Sequence, residues 1–137
     1  MHNLFTYGSL MCNDIMSTVA ACQNSTCQAT LNDFFRSKIR EEEYPGIVPQ
    51  PGSVVDGVLY LDLCDDAIKR LDVFEGELYQ RQEVTVITEE GSTVAAMTYV
   101  IKPRYRELLT DQQWSFTEFL AVGKKRFEKS YFGFGDL

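Results

Sequence analysis

A chain with a single histidine must do most of its proton chemistry with other groups. That histidine, His2, stands at the N-terminal end, where fraying makes a Ser-His-Asp or Cys-His arrangement hard to assemble. The acidic residues show neither calcium-loop nor HExxH spacing, and with imidazole ligands scarce no catalytic metal is expected. Cys12, Cys22, Cys27 and Cys64 fit neither a CxxC pair nor the spacing of a structural zinc site, and read as small buried hydrophobes. Acid–base work therefore falls to carboxylates or tyrosines. The second chemical feature is Phe5-Thr6-Tyr7-Gly8-Ser9-Leu10. A glycine where a strand must turn leaves the backbone N–H groups of Ser9, Leu10 and Met11 unpaired, able to converge on an anion or a carbonyl oxygen. Strand-Gly-Ser turns also occur as plain loop chemistry, so the segment alone does not decide between the two.

The elements that must position these residues follow from periodicity. Residues 3–7 read as a short buried strand ended by Gly8, and Ile15, Met16, Val19 and Ala20 have helical spacing with Asp14 as the cap. Cys27, Ala29 and Leu31 alternate with polar residues as a second strand, before a solvated charged run at Arg40-Glu41-Glu42-Glu43. Residues 44–52 hold three of the four prolines and are expected to form a loop rather than regular structure. Strand resumes over 54–61. Asp65 or Asp66 caps a short helix carrying Ile68, Leu71 and Phe74 on one face, which Gly76 ends, leaving Glu75 at the helix exit. Residues 79–87 and 93–101 form a hairpin through Glu89-Glu90-Gly91-Ser92, with Tyr79, Arg81 or their neighbours on its inner face. Ser115-Phe116-Thr117-Glu118 is a capping box, and Phe116, Phe119, Leu120, Gly123 and Phe127 continue behind it as an amphipathic helix.

These elements, without repeats or linkers, describe a single α+β domain over 1–137 with a strongly curved mixed sheet. The length of 137 residues supports one core. With 13 basic against 20 acidic residues the net charge is −7, which disfavours nucleic acid and anionic lipid as partners. No basic-then-apolar leader opens the chain and no apolar run reaches membrane-spanning length, so a cytoplasmic protein is expected, and the glycosylation pattern Asn24-Ser25-Thr26 reads as chance.

Phe5-Thr6-Tyr7-Gly8-Ser9-Leu10, then Tyr44-Pro45-Gly46-Ile47 and Val55-Asp56-Gly57-Val58-Leu59-Tyr60, then Leu71-Asp72-Val73-Phe74-Glu75-Gly76 followed by Tyr79-Gln80-Arg81, resemble in order and interval the γ-glutamylcyclotransferase-like superfamily. The compact length is similar to its γ-glutamylamine cyclotransferase branch. The resemblance implies a small curved mixed β-barrel with a few attached helices. It implies a cofactor-independent reaction, in which a small γ-glutamyl amine or peptide closes on itself to give 5-oxoproline and a free amine. It maps the catalytic glutamate onto Glu75 and glutamyl recognition onto Tyr7, Gly8, Ser9 and Leu10.

Tyr44 and Tyr99 join the substrate-binding set, with loop anchoring and cross-strand packing as their alternatives. Tyr79 and Arg81 stand between pocket border and packing or surface pairing. Glu77, beyond the glycine, reads as a solvent-facing loop residue. For Glu75 to move protons near neutral pH, its carboxyl should be desolvated and shifted upward from about 4.3. A binding module of the same fold, without turnover, is the alternative. The tail Tyr131-Phe132-Gly133-Phe134-Gly135 matches no motif, and the leaving amine and the oligomeric state stay open.

Overall fold

Leu4 and Phe5 lie on opposite faces of β1 (His2–Thr6), and both are buried, so this strand has core on either side. The computed structural model that shows this describes residues 1–132. After β1 come α1 (Asn13–Ala20), β2 (Thr26–Ile39), β3 (Pro45–Leu63), α2 (Asp65–Glu75), β4 (Tyr79–Thr88) and β5 (Thr93–Ile101). β6 (Leu109–Gln113), α3 (Phe116–Glu118), a π-helical turn at Phe119–Gly123 and α4 (Lys124–Phe132) complete the described chain.

β1 pairs antiparallel with β3, Phe5 opposite Leu59, and parallel with β5, Leu4 opposite Met97. β5 returns on β4, β4 meets β2 at Ala29–Thr88, and β2 runs antiparallel to β3. That last pairing closes a five-stranded mixed barrel. Phe5, Leu31, Leu59, Val86 and Val100, one from each barrel strand, fall in one buried cluster. The other faces of the strands give Leu4, Tyr60 and Tyr99, which pack with Ile15 and Met16 of α1 and Ile68 and Leu71 of α2. The expected α+β barrel is therefore the observed fold, and the hairpin at Glu89-Glu90-Gly91-Ser92 stands where its turn residues put it.

The proline-rich stretch is strand, not loop. Residues 45–49 pair with Lys38 back to Phe34 of β2. Pro45 and Pro49 lie four apart, so their missing N–H groups face one edge, and that edge carries no partner strand among the described residues. The register slips between Asn32 and Phe34, where Asp33 takes a positive φ of 67° and its Oδ1 accepts from the Gly52 N–H at 3.0 Å.

Other expectations also change. His2 is not frayed: it pairs with Leu63 in the sheet and its ring meets Asp65 at 2.6 Å. Cys12 and Cys64, not Asp14 and Asp65 or Asp66, occupy the N-cap positions of α1 and α2, and the aspartates sit in the first turns, where they complement the helix dipole. None of the four cysteines is fully buried, and Cys64 is exposed. In the charged run, Glu43 is only half exposed: it pairs with Arg126 at 2.9 Å and its carbonyl accepts the Trp114 indole N–H at 2.8 Å. Ser115 caps as expected, its Oγ accepting from the Glu118 N–H. Leu120, however, is 47% exposed, because the π-turn rotates it off the face that Phe119 and Phe127 bury.

Candidate active site

β1 delivers Tyr7 to the end of the barrel. Its hydroxyl donates to the Tyr99 carbonyl at 2.5 Å, and its own carbonyl accepts from Arg36 Nη1 at 2.8 Å. Arg36 also donates to the Asp56 carbonyl and carboxylate and stacks over Trp114, 5.4 Å from the ring centre. Gly8 follows because nothing larger fits: a Cβ there would sit 2.7 Å from Cδ of Pro45. The chain then makes a 3-10 turn over Ser9–Met11, in which the Met11 N–H returns to the Gly8 carbonyl at 2.9 Å. Of the three N–H groups expected to be unpaired, Met11 is therefore spent on the turn. Those of Ser9 and Leu10 open it and lie outside its hydrogen-bond ladder. The Leu10 carbonyl accepts from Tyr60 and the Pro45 carbonyl from Tyr79, so phenols pin both sides of the loop.

α2 delivers Glu75 as its last residue, and Gly76 ends the helix with φ of 74°. Tyr7, Gly8, Ser9, Leu10, Tyr44, Glu75 and Tyr99, all seven residues singled out in the sequence, line one cleft with Phe5, Thr6, Pro45 and Tyr79. The cleft is small and opens to solvent at its mouth. Burial, and secondarily the charge of Asp72, pushes the Glu75 carboxyl up to about 8. At neutral pH the protonated form is therefore favoured. Glu77 behaves oppositely: it is exposed, meets Arg104 and Lys102, and is held below its ordinary range by their charges.

Tyr79 belongs to the cleft wall, and Arg81 does not. Arg81 instead meets Asp72 Oδ1 at 3.0 Å, the same oxygen that accepts the Tyr99 hydroxyl at 2.7 Å. Sequence reading missed Asp72, Arg36 and Pro45. Asp72 carried a signal, one helical turn before Glu75 within the same motif, whereas nothing local marks Arg36. Behind Tyr44, Phe127 packs edge-on at 6.2 Å and also touches Phe74 at 6.0 Å. The tail from Gly133 onward lies outside the described residues.

A closed mixed barrel with helices on its outer face is the gamma-glutamyl cyclotransferase fold, and a solved gamma-glutamyl cyclotransferase superposes with a TM-score of 0.66 at 22% identity, covering 78% of this chain and 75% of that one. The protein belongs to the family described as "Gamma-glutamyl cyclotransferase, AIG2-like", whose model matches residues 4–116. AIG2-like protein D of Arabidopsis thaliana is 36% identical over 102 residues, 73% of this chain and 67% of that protein. A solution structure from the same plant superposes with a TM-score of 0.73 at 28% identity, covering 95% of this chain and 87% of that one.

Proposed function

We propose that the protein is a cyclotransferase that converts a small γ-glutamyl amine or peptide to 5-oxoproline and a free amine, with Glu75 as general base and acid. The observation that carries this reading is that the Glu75 carboxyl and the Gly8 loop line the same cleft, where burial pushes the carboxyl up.

In this reading the Ser9 and Leu10 N–H groups take the glutamyl part of the substrate. Glu75 accepts a proton from the α-ammonium, the freed nitrogen attacks the γ-carbonyl carbon, and the carbon–nitrogen bond to the leaving amine breaks as the ring closes. Two protons leave the α-nitrogen, and both end on the departing amine, one of them relayed by Glu75. An α-ammonium held beside Glu75 favours its ionised form, so binding itself produces the base. The attack is intramolecular, and positioning supplies much of the rate.

The test is a panel of γ-glutamyl amines, γ-glutamyl dipeptides and glutathione, with 5-oxoproline measured. Turnover of any member, lost in Glu75→Gln by about 10²-fold to 10⁴-fold at nearly unchanged affinity and kept in Glu77→Gln, supports the reading. Tight binding of a γ-glutamyl compound that survives unchanged makes the protein a binding module, and silence across the panel removes the proposal.

A further inference from the structure

Arg81 and Tyr99 are cross-strand partners, directly opposed between β4 and β5. They converge on one atom that belongs to neither strand, Asp72 Oδ1, at 3.0 and 2.7 Å. Asp72 lies one turn before Glu75 on α2, so the two carboxyls share a helix face. Tyr99 is held in turn from behind, since its carbonyl accepts the Tyr7 hydroxyl. A continuous chain thus runs from the Gly8 loop through Tyr7 and Tyr99 to Asp72 and the last turn of α2.

We propose that Asp72 is a positioning residue for Glu75, docking the end of α2 on the barrel and presenting to the next carboxyl a fixed negative charge that Arg81 partly neutralises. The proposal rests on the cyclotransferase reading for its purpose, not for its geometry. Surface pairing alone does not account for the arrangement. An exposed Asp–Arg pair contributes little, whereas this one shares its acceptor oxygen with the phenol of Tyr99, a buried residue that lines the cleft.

The titratable groups around Glu75 are few in kind. Tyr7 at the end of β1, Tyr44 after β2, Tyr79 on β4 and Tyr99 on β5 line the same cleft, and burial lifts Tyr7 and Tyr99 above the ordinary phenol range. Those two phenols stay neutral through the working pH. The charge that bears on Glu75 is that of Asp72, and Arg81 pairs with that same carboxylate.

The decisive variants are therefore Asp72→Asn, which keeps an acceptor oxygen for both donors but removes the charge, and Arg81→Gln, which leaves the charge uncompensated. The readout is the side-chain carboxyl resonance of Glu75 in ¹³C-labelled protein, assigned by its absence in Glu75→Gln and titrated over pH. Asp72→Asn should lower the Glu75 midpoint, and Arg81→Gln should raise it, each by roughly half a unit to one unit. The acid limb of kcat/KM should move in the same opposite directions. A merely structural pair would produce loss of fold or rate, not two opposed shifts. An unmoved midpoint in Asp72→Asn, or a downward shift in Arg81→Gln, overturns the proposal, and either variant suffices if the other fails to fold. Should the protein prove inactive on every γ-glutamyl compound, the resonance still titrates, so failure of the enzymatic reading is distinguishable from failure of this one.

Discussion

Glu75 carries a cost that the rest of the molecule must bear. A carboxyl raised from the ordinary 4.5 to about 8 in the folded state binds its proton more tightly folded than unfolded. Its contribution to stability is complete below about 4.5 and is lost as pH rises through about 8, up to about 5 kcal/mol in all. Glu75→Gln should therefore unfold at a higher temperature than the parent at pH 8.5, with little difference at pH 4.5, in thermal melts followed by circular dichroism. Equal differences at the two values would mean that the carboxyl is not desolvated. On the proposed cyclotransferase reading, the same group should impose an acid limb on kcat/KM, activity rising with pH toward about 8, because the free protein must present the ionised form. A stability penalty that grows over the pH range where activity appears is the expected mark of a group held in place for chemistry.

At the scale of elements, the C-terminal helix reaches the cleft indirectly. Phe127 of α4 is 2% exposed and packs on Tyr44, Phe74 and Phe119, so it backs a ring that lines the pocket. Truncation to alanine should cost about 3 kcal/mol or more of stability. It should also raise KM more than it lowers kcat, since it loosens Tyr44 without touching Glu75; steady-state kinetics on any accepted substrate separates the two.

How well each element could be read depended on how local its causes are. The β4–β5 hairpin was legible because Glu-Glu-Gly-Ser turns the chain whatever surrounds it, with Gly91 at φ of 88°. The prolines of β3 misled because a missing N–H forbids a ladder only on the side it faces, and which side is free is decided by strands far away in sequence. The π-turn at Phe119–Gly123 has no residue that announces it, so helical spacing alone sets Leu120 on the apolar face with Phe119 and Phe127. Within the site, the loop and Glu75 were visible as motifs. Arg36 was not, because what makes it matter is a carbonyl 29 positions earlier.

For the molecule as a whole, closure of the barrel sets a hierarchy of rigidity. β1 is bonded on both sides, and threonine side chains add to its ladder, with Thr98 Oγ1 donating to the Phe5 carbonyl and Thr6 Oγ1 to the Val58 carbonyl. Native-state hydrogen exchange should find the β1 and β5 amides released only by global unfolding, with α4, held by Phe127 and by the Lys124–Asp14 and Arg126–Glu43 ion pairs, opening earlier. Protection of α4 equal to that of β1 would contradict this order. The Gly8 loop thus follows a strand bonded on both sides, which is where a preorganised site is best built. Among the described residues no helix is long and apolar enough to cross a membrane, and the charge of −7 opposes retention on polyanionic surfaces.

The guanidinium of Arg36 touches the loop and the indole at once, and Trp114 is the chain's single tryptophan. The protein therefore has an intrinsic optical reporter wired to the Gly8 loop. Any ligand that shifts the Tyr7 carbonyl tugs a cation lying over the fluorophore, and a change in emission on titration gives occupancy directly, with no label and no turnover required.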